Sequence, residues 1–272
     1  MLSSLLCKFT FDFVQPEPSL FVSDQLDHVQ ADIHKNRQNH GWHFILTGFL
    51  IKIINRHSLV KVLHIVIEKN MYMKTLIVYY HPYKGSYCNA ILSAVKAGLK
   101  KAGCPSKLIN LAKDGFDPVM REKDIRAFAE LGSGRTEALL DLDPFVLRYK
   151  KKLEWAERLI MIFPIWWMTT PAMVKGFIDK VIFPGVAYVM DDGKLKSRLK
   201  SLKQITVITT MNTPADLYET LFGNSIEGSL IKGTFNQIGI HDAEWISLNK
   251  VKQVDYDVRA RWLDDLKEKF SR

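Results

Sequence analysis

From Lys74 to the C-terminus, short apolar runs alternate with stretches in which apolar residues recur at helical spacing. "TLIVYY" (75–80) is continuously apolar, as a strand buried on both faces must be. Residues 89–102 carry apolar positions at helical spacing and stop before Gly103, a residue suited to a helix end. "SKLINL" (106–111) predicts a second strand, and helical patterns follow near 121–131 and 136–153. "RLIMIF" (158–163) predicts the third strand, and 171–182 a helix opened by Pro171. The excursion 183–202 contains a turn signal, "MDDGK" (190–194). "QITVIT" (204–209) and "AEWISL" (243–248) predict strands four and five, with helices over 224–238 and 255–270.

Five buried strands alternating with helices predict an α/β fold: a five-stranded parallel sheet with helices on both faces. Such sheets bind ligands beyond the carboxyl ends of their strands, where the strand order reverses. The chemistry is therefore expected in the loops after strands one, three and four.

The first seventy residues lack this alternation. They hold six of the eight histidines, a Pro-containing stretch (15–19) and a polar block (34–40). Their longest charge-free apolar stretch, 41–51, is too short to span a bilayer and is followed by Lys52, Arg56 and Lys61. The opening "MLSSLLCKFTFDF" has neither a basic n-region nor a small-residue cleavage site, which argues against a signal peptide. "NMYMKTLIVYYHP" then reads as a fresh start at Met71 or Met73, in the manner of many cytoplasmic α/β enzymes. The expectation is an N-terminal extension over 1–70, poorly ordered or the product of an upstream start, and a catalytic domain over 71–272. A small helical appendage packed on the domain is the alternative.

Composition changes this picture little. At 47% hydrophobic and 25% charged residues the chain is ordinary for a globular protein. Its net charge of +9 is spread out, and the one dense run, Lys150-Lys151-Lys152, falls in a helical pattern whose solvated face explains it. Nucleic acid is not an expected partner, although the positive field favours anionic ligands, phosphorylated cofactors among them. Cys7, Cys88 and Cys104 are odd in number and form no CxxC pair. That argues against a disulfide framework and a zinc site, and suits a reducing, cytoplasmic location.

Each of the three loops carries candidate chemistry. "HPYKGSYCNA" (81–90) leads through Gly85 and Ser86 into a helix, and helix-start amides beside a hydroxyl form an anion site suited to phosphate. It lacks the GK[ST] of a nucleotide-triphosphate loop, and Ser86 acting as a plain N-cap is an equal reading. "FPIWWMTTPAMVKGFIDKV" (163–181) places two indoles beside main-chain amides and carbonyls, an edge and a face for a flat heteroaromatic ring. Pro164 is expected to keep its backbone out of the sheet ladder. The plainer reading makes one tryptophan core and the other a dimer contact. "TTMNTPADLY" (209–218) clusters hydroxyls and an amide past a buried strand, or forms a surface turn at Asn212-Thr213-Pro214. Their shared position at one sheet rim favours a joint site.

These segments, "YYHPYKGSYCNAIL", "LEWAERLIMIFPIWWMTTPAMVKGFIDKVIFPGVAY", and "TTMNTP" with "FNQIGI" downstream, resemble the flavodoxin-like NAD(P)H:quinone oxidoreductases over about 74–270. The resemblance implies a three-layer α/β/α sandwich, FMN or FAD as cofactor, NADPH or NADH as hydride donor, and an active site at a homodimer interface. It places His81 near the flavin phosphate and makes Ser86 and Tyr87 the phosphate-binding pair. Cys88 stands where the family usually has Asn, which leaves only its backbone N–H. Pro164, Ile165, Trp166, Trp167 and Met168 match the loop that meets the isoalloxazine edge. Thr209, Thr210, Met211 and Asn212 match the loop after strand four. There, however, the Gly-Gly pair and the downstream His of the better-known animal enzymes are missing, and Tyr218 is only an approximate stand-in for their Tyr. Tyr218 is thus the one catalytic candidate. His81 and His241 also read as structural histidines, and Cys88 has no partner base for thiol catalysis.

The function implied is hydride transfer from NAD(P)H through bound flavin to a quinone or similar acceptor by a ping-pong sequence, in which positioning and the cofactor carry the reaction. The alternative is a flavoprotein regulatory subunit of a potassium-efflux antiporter. An electron-carrier flavodoxin is disfavoured by the long loops and the positive charge.

Overall fold

The computed structural model describes residues 72–272; the expectations for 1–70 lie outside the described residues. Among the described residues seven strands and six α-helices follow one another: β1 (Thr75–Tyr79), α1 (Tyr87–Lys101), β2 (Ser106–Asn110), α2 (Glu122–Gly132), α3 (Pro144–Trp155), β3 (Arg158–Pro164), α4 (Ala172–Val181), β4 (Tyr188–Asp191), β5 (Lys194–Ser197), β6 (Gln204–Thr210), α5 (Ala215–Thr220), β7 (Asp242–Leu248) and α6 (Tyr256–Lys269). A 3₁₀ segment (Thr136–Asp141) precedes α3, and a π-helix (Ile226–Asn236) precedes β7.

Five strands form one sheet in the order β2-β1-β3-β6-β7, and every pairing within it is parallel. The apolar runs explain why. Along β1, Leu76 and Val78 face one core while Ile77 and Tyr79 face the other. In β3, Leu159, Met161 and Phe163 alternate in the same way with Ile160 and Ile162. A strand apolar at every position has two faces to bury, so helices are required on both. On one face α1 and α6 pack together through Ile91, Val95, Leu99, Leu266 and Phe270. The other face is covered by residues of α2, α3, α4 and the π-helix, including Val146, Leu153, Phe177 and Phe235. This is the expected three-layer α/β/α sandwich.

Three local expectations are corrected. The pattern over 136–153 is not one helix, because Asp143 and Pro144 interrupt it. A residue before proline is pushed from helical to extended backbone, and Asp143 (ψ 133°) instead caps α3, accepting a bond from the Phe145 amide at 2.8 Å. Pro164 lies within the ladder, in register with Thr210. The Ile162 carbonyl accepts from Tyr80 on the β1 side and the Ile165 amide donates to Thr210 on the β6 side. By alternation Pro164 faces β1, which has already ended, so its missing N–H breaks no ladder bond. The helix predicted over 224–238 is a π-helix, and the short α5 had no periodicity long enough to reveal it. The turn signal at 190–194 is borne out: the excursion carries the antiparallel ribbon β4–β5. Asp192 (φ 49°) and Gly193 (φ 69°) form its two-residue turn, both with the positive φ that such a tight hairpin demands.

Candidate functional site

The sheet order reverses between β1 and β3, so a crevice opens at their carboxyl ends. The connections after β1, β3 and β6 meet there. The Trp166 ring lies edge-on to Tyr80 (5.9 Å between centroids) and to His81 (6.2 Å), joining the first two. Ile165 donates its amide to the Thr210 carbonyl at 2.8 Å, joining the second and third. The Cys88 Sγ and Thr210 Oγ1 lie 3.3 Å apart, tying the start of α1 to the end of β6.

The first connection turns on His81, whose Nδ1 accepts from the Tyr83 amide at 3.1 Å. Partial desolvation lowers the pKa of this imidazole, which favours its neutral form. Ser86 is the N-cap of α1, its Oγ accepting from the Asn89 amide at 3.2 Å. The amides of Tyr87 and Cys88 are the first two of the helix and have no intrahelical acceptor, so they are donors for an anion. The Tyr87 side chain turns away: its hydroxyl donates to the Arg259 carbonyl at 2.6 Å, and burial pushes its pKa up to about 12. Cys88 is buried, and burial pushes its thiol up to about 11. It is a neutral packing residue and not a nucleophile.

The second connection is the distinctive one. Trp166 and Thr169 close a four-residue turn through reciprocal backbone bonds of 3.0 and 3.1 Å. Its two central residues, Trp167 and Met168, have φ of 47° and 61°. Both angles lie in the left-handed region, where an ordinary side chain costs about 1–2 kcal/mol. Neither tryptophan is core, against the plainer reading of the sequence: Trp166 is 42% exposed and Trp167 96%. Strain and exposure at one residue are two costs that packing does not offset. Of the four amides from Ile165 to Met168, the first two are committed to Thr210 and Thr169. The Trp167 and Met168 amides remain as the donor edge beside the indoles.

The third connection is more structural than its hydroxyls suggested. Thr209 is buried and accepts from the Trp245 indole at 2.9 Å. Met211 is buried, bonded through its backbone to Leu248 and Val251, and the Asn212 side chain accepts from the Lys252 amide at 3.1 Å. Thr210 faces Cys88 as described. Tyr218 is 0% exposed; its hydroxyl donates to the Met168 carbonyl at 3.1 Å and accepts from the Ile226 amide at 3.3 Å. Ser225 bonds the same carbonyl. Ser225 and Trp245 were not singled out from the sequence, and Thr213 only as part of a surface turn. Ser225 sits in an ordinary "GNS" turn and Trp245 in a strand pattern, so only the tertiary fold brings them beneath the Trp166–Thr169 turn.

A family model described as a flavodoxin-like fold matches residues 73–270, so the chain belongs to that family, which bears out the resemblance read from the loops. It is 27% identical over 195 residues to an uncharacterized NAD(P)H oxidoreductase of Haemophilus influenzae, spanning 71% of this chain and 91% of that protein. It is 29% identical to NAD(P)H dehydrogenase [quinone] 1 of Cavia porcellus, over 50% of this chain and about half (53%) of that enzyme. Among solved structures, Smu.1420 of Streptococcus mutans superposes with a TM-score of 0.63 at 28% identity, covering 73% of this chain and 99% of that one. An NAD(P)H:quinone oxidoreductase of Methanothermobacter marburgensis superposes at 0.65 with 21% identity, over 74% and 98% of the two chains. At 19% identity and a TM-score of 0.57, so does an FMN-dependent NADH-azoreductase of Bacillus anthracis in complex with FMN (74% and 98%). The last two establish the shared fold.

Proposed function

We propose that the protein is a flavin-dependent NAD(P)H oxidoreductase that reduces a quinone or similar acceptor. The observation that carries this reading is the strained, exposed Trp166–Thr169 turn, placed at the reversal point of a flavodoxin-like sheet beside uncommitted amides. The donor set fits FMN or FAD: helix-start amides for a phosphate, a two-amide edge for a polar ring, and indole faces for a flat one. The names of the relatives agree in class.

When bound, the flavin supplies the two-electron chemistry that links NAD(P)H to the acceptor. The chain's part is to hold and to shield. The Tyr87 and Cys88 amides, with the partial positive charge of α1 behind them, anchor the phosphate. The Trp167 and Met168 amides donate toward negative charge at the ring edge, where a preformed dipole needs no reorganisation. Trp166 and Trp167 form a wall that orients flat ligands in turn and excludes water. His81, bonded through Nδ1, keeps its place beside Trp166. Among the described residues no side chain at the rim is set as an acid–base pair, so rate depends on alignment, worth on the order of 7–11 kcal/mol where it is good.

Apolar side chains stand exposed on all three connections: Tyr83 on the first, Trp166 and Trp167 on the second, Leu217, Leu221 and Phe222 on or just after α5. A patch of this kind calls for a covering partner. We assign that role to a second copy of the chain, making the active unit a homodimer with the acceptor slot between copies. No described helix is long and apolar enough to cross a membrane. We place the enzyme in the cytoplasm, and take residues 1–70 as an extension that adds no catalytic residue. Nothing among the described residues favours the antiporter-subunit alternative.

The deciding experiment is the absorption spectrum of the purified full-length protein after incubation with FMN or FAD, followed by NAD(P)H oxidation with a quinone. Yellow protein that is bleached by NAD(P)H and recoloured by quinone supports the reading. Protein that stays colourless with either flavin ends it.

A further inference from the structure

We infer that Tyr218 is a positioning residue: with Ser225 it clamps the Met168 carbonyl and so fixes the direction of the amides that the Trp166–Thr169 turn offers to the ring edge. The resemblance makes Tyr218 an approximate stand-in for a catalytic tyrosine, but the geometry assigns it another task. Its phenol is fully buried. The hydroxyl donates to the Met168 carbonyl at 3.1 Å, lies 3.0 Å from Ser225 Oγ, and accepts from the Ile226 amide at 3.3 Å. The single proton of that hydroxyl goes to the Met168 carbonyl while its oxygen accepts from the Ile226 amide, so no proton is left to donate to a ligand.

The clamp has something to hold. Met168 occupies the left-handed region at φ 61°, directly after Trp167 at 47°. A turn with Gly at these positions would hold its shape unaided; with Trp and Met there, the backbone relaxes toward negative φ unless an outside contact opposes it. That relaxation would rotate the Met168–Thr169 peptide. The two hydroxyls resist this from below, bonding one carbonyl on the protein side. They are themselves braced: the Tyr218 ring packs on Trp245 (5.7 Å between centroids), whose indole N–H donates to Thr209 at the end of β6. The third connection thus acts on the ligand through the second. Thr213 adds a contact on the Met168 sulfur at 3.9 Å.

This inference rests on the flavin reading for its consequence, but not for its test. In the full-length, flavin-free protein, hydrogen exchange at the Trp166 and Thr169 amides reports whether the turn is closed, since those two amides bond across it. Tyr218→Phe and Ser225→Ala should each speed that exchange about three- to tenfold, the loss of one hydrogen bond. The double variant should exceed the product of the two, because only then is the carbonyl left with no donor. With flavin, each single variant should raise the FMN dissociation constant by a similar factor and leave the pH profile of turnover unchanged. Wild-type exchange in both single variants would overturn the inference. So would a Tyr218→Phe variant that keeps FMN affinity, loses turnover and changes its pH profile while Ser225→Ala is silent; that pattern is a proton relay. If Tyr218→Phe fails to fold, Ser225→Ala alone decides by the same exchange measurement. A wild-type protein that binds no flavin would remove the proposed function and leave the exchange result to judge the clamp.

Discussion

At the scale of single residues, Trp167 concentrates the conflict between folding and use. It is almost wholly exposed, so it contributes no burial, and it sits where glycine belongs. Trp167→Gly should therefore raise the unfolding free energy, by about 0.5–1 kcal/mol once the extra freedom of unfolded glycine is subtracted. The same change should weaken flavin binding about three- to tenfold through loss of an aromatic face. Denaturant titration and flavin fluorescence titration measure the two, and their opposite signs are the point. A variant that loses both would mean that the indole supports the fold. Cys88 and Tyr87 make a second residue-level case. Folding raises the thiol from 9.0 to about 11 and the phenol from 10.0 to about 12, burial being the main cause. The folded state thus holds both protons more firmly than the unfolded one. Their contribution is complete below pH 9 and is lost as pH climbs through 9–12. The urea midpoint should be level from pH 7 to 8.5 and fall above 9, less steeply in Cys88→Ala.

At the scale of elements, α4 does more than carry the chain away from the Trp turn. Its Lys180 is 2% exposed and pairs with Asp124 of α2, itself 4% exposed, at 3.4 Å. The same ammonium donates to the carbonyls of Asp117 and Val119 at 3.2 and 3.3 Å. One turn earlier, Gly176 lets the loop before α2 lie against the helix: a Cβ there would stand 2.3 Å from the Pro118 carbonyl oxygen. Together they lock the β2–α2 loop onto the helix that begins just after the Trp166–Thr169 turn. Lys180→Ala should cost about 3–5 kcal/mol, because it strands a buried carboxylate and two carbonyls. Gly176→Ala should cost about 1–3 kcal/mol through backbone displacement. Thermal unfolding tests both; a loss under 1 kcal/mol in either would show that the loop can detach at little cost.

At the scale of the whole molecule, the exposed rim residues and the proposed second copy make one prediction. Sedimentation of the full-length protein should give the mass of two chains, and replacing Leu221 and Phe222 by Ser should shift it toward one. A wild-type monomer at micromolar concentration would remove the dimer from the account. Residues 1–70 supply another: a chain starting at Met71 should fold and bind flavin with unchanged affinity. Loss of either property would give the extension a working role.

Much of this organisation was legible beforehand, and the reason is physical. A strand apolar at consecutive positions needs cover on both faces, so "TLIVYY" and "RLIMIF" call for a parallel sheet under two helical layers. Parallel connection then forces the loops after β1, β3 and β6 to one edge. Where reading stopped, the cause was local. Pro144 cut a helical pattern that periodicity alone ran together, and the π-helix shares its apolar spacing with an α-helix too closely to be told apart. Side-chain direction was not legible at all. Nothing in "HPYKGSYC" says that Tyr87 turns to Arg259 while its amide stays free, nor does "TTMNTPADLY" say that Tyr218 reaches a carbonyl fifty residues earlier. Hydrogen bonds form between whatever groups the packed layers bring within about 3 Å, and that proximity exists only once the sheet is assembled. The amino-acid order by itself thus determined the layers, the rim and the residue types gathered there. Tertiary structure alone decided which of them face outward, which brace the turn, and that the turn is strained.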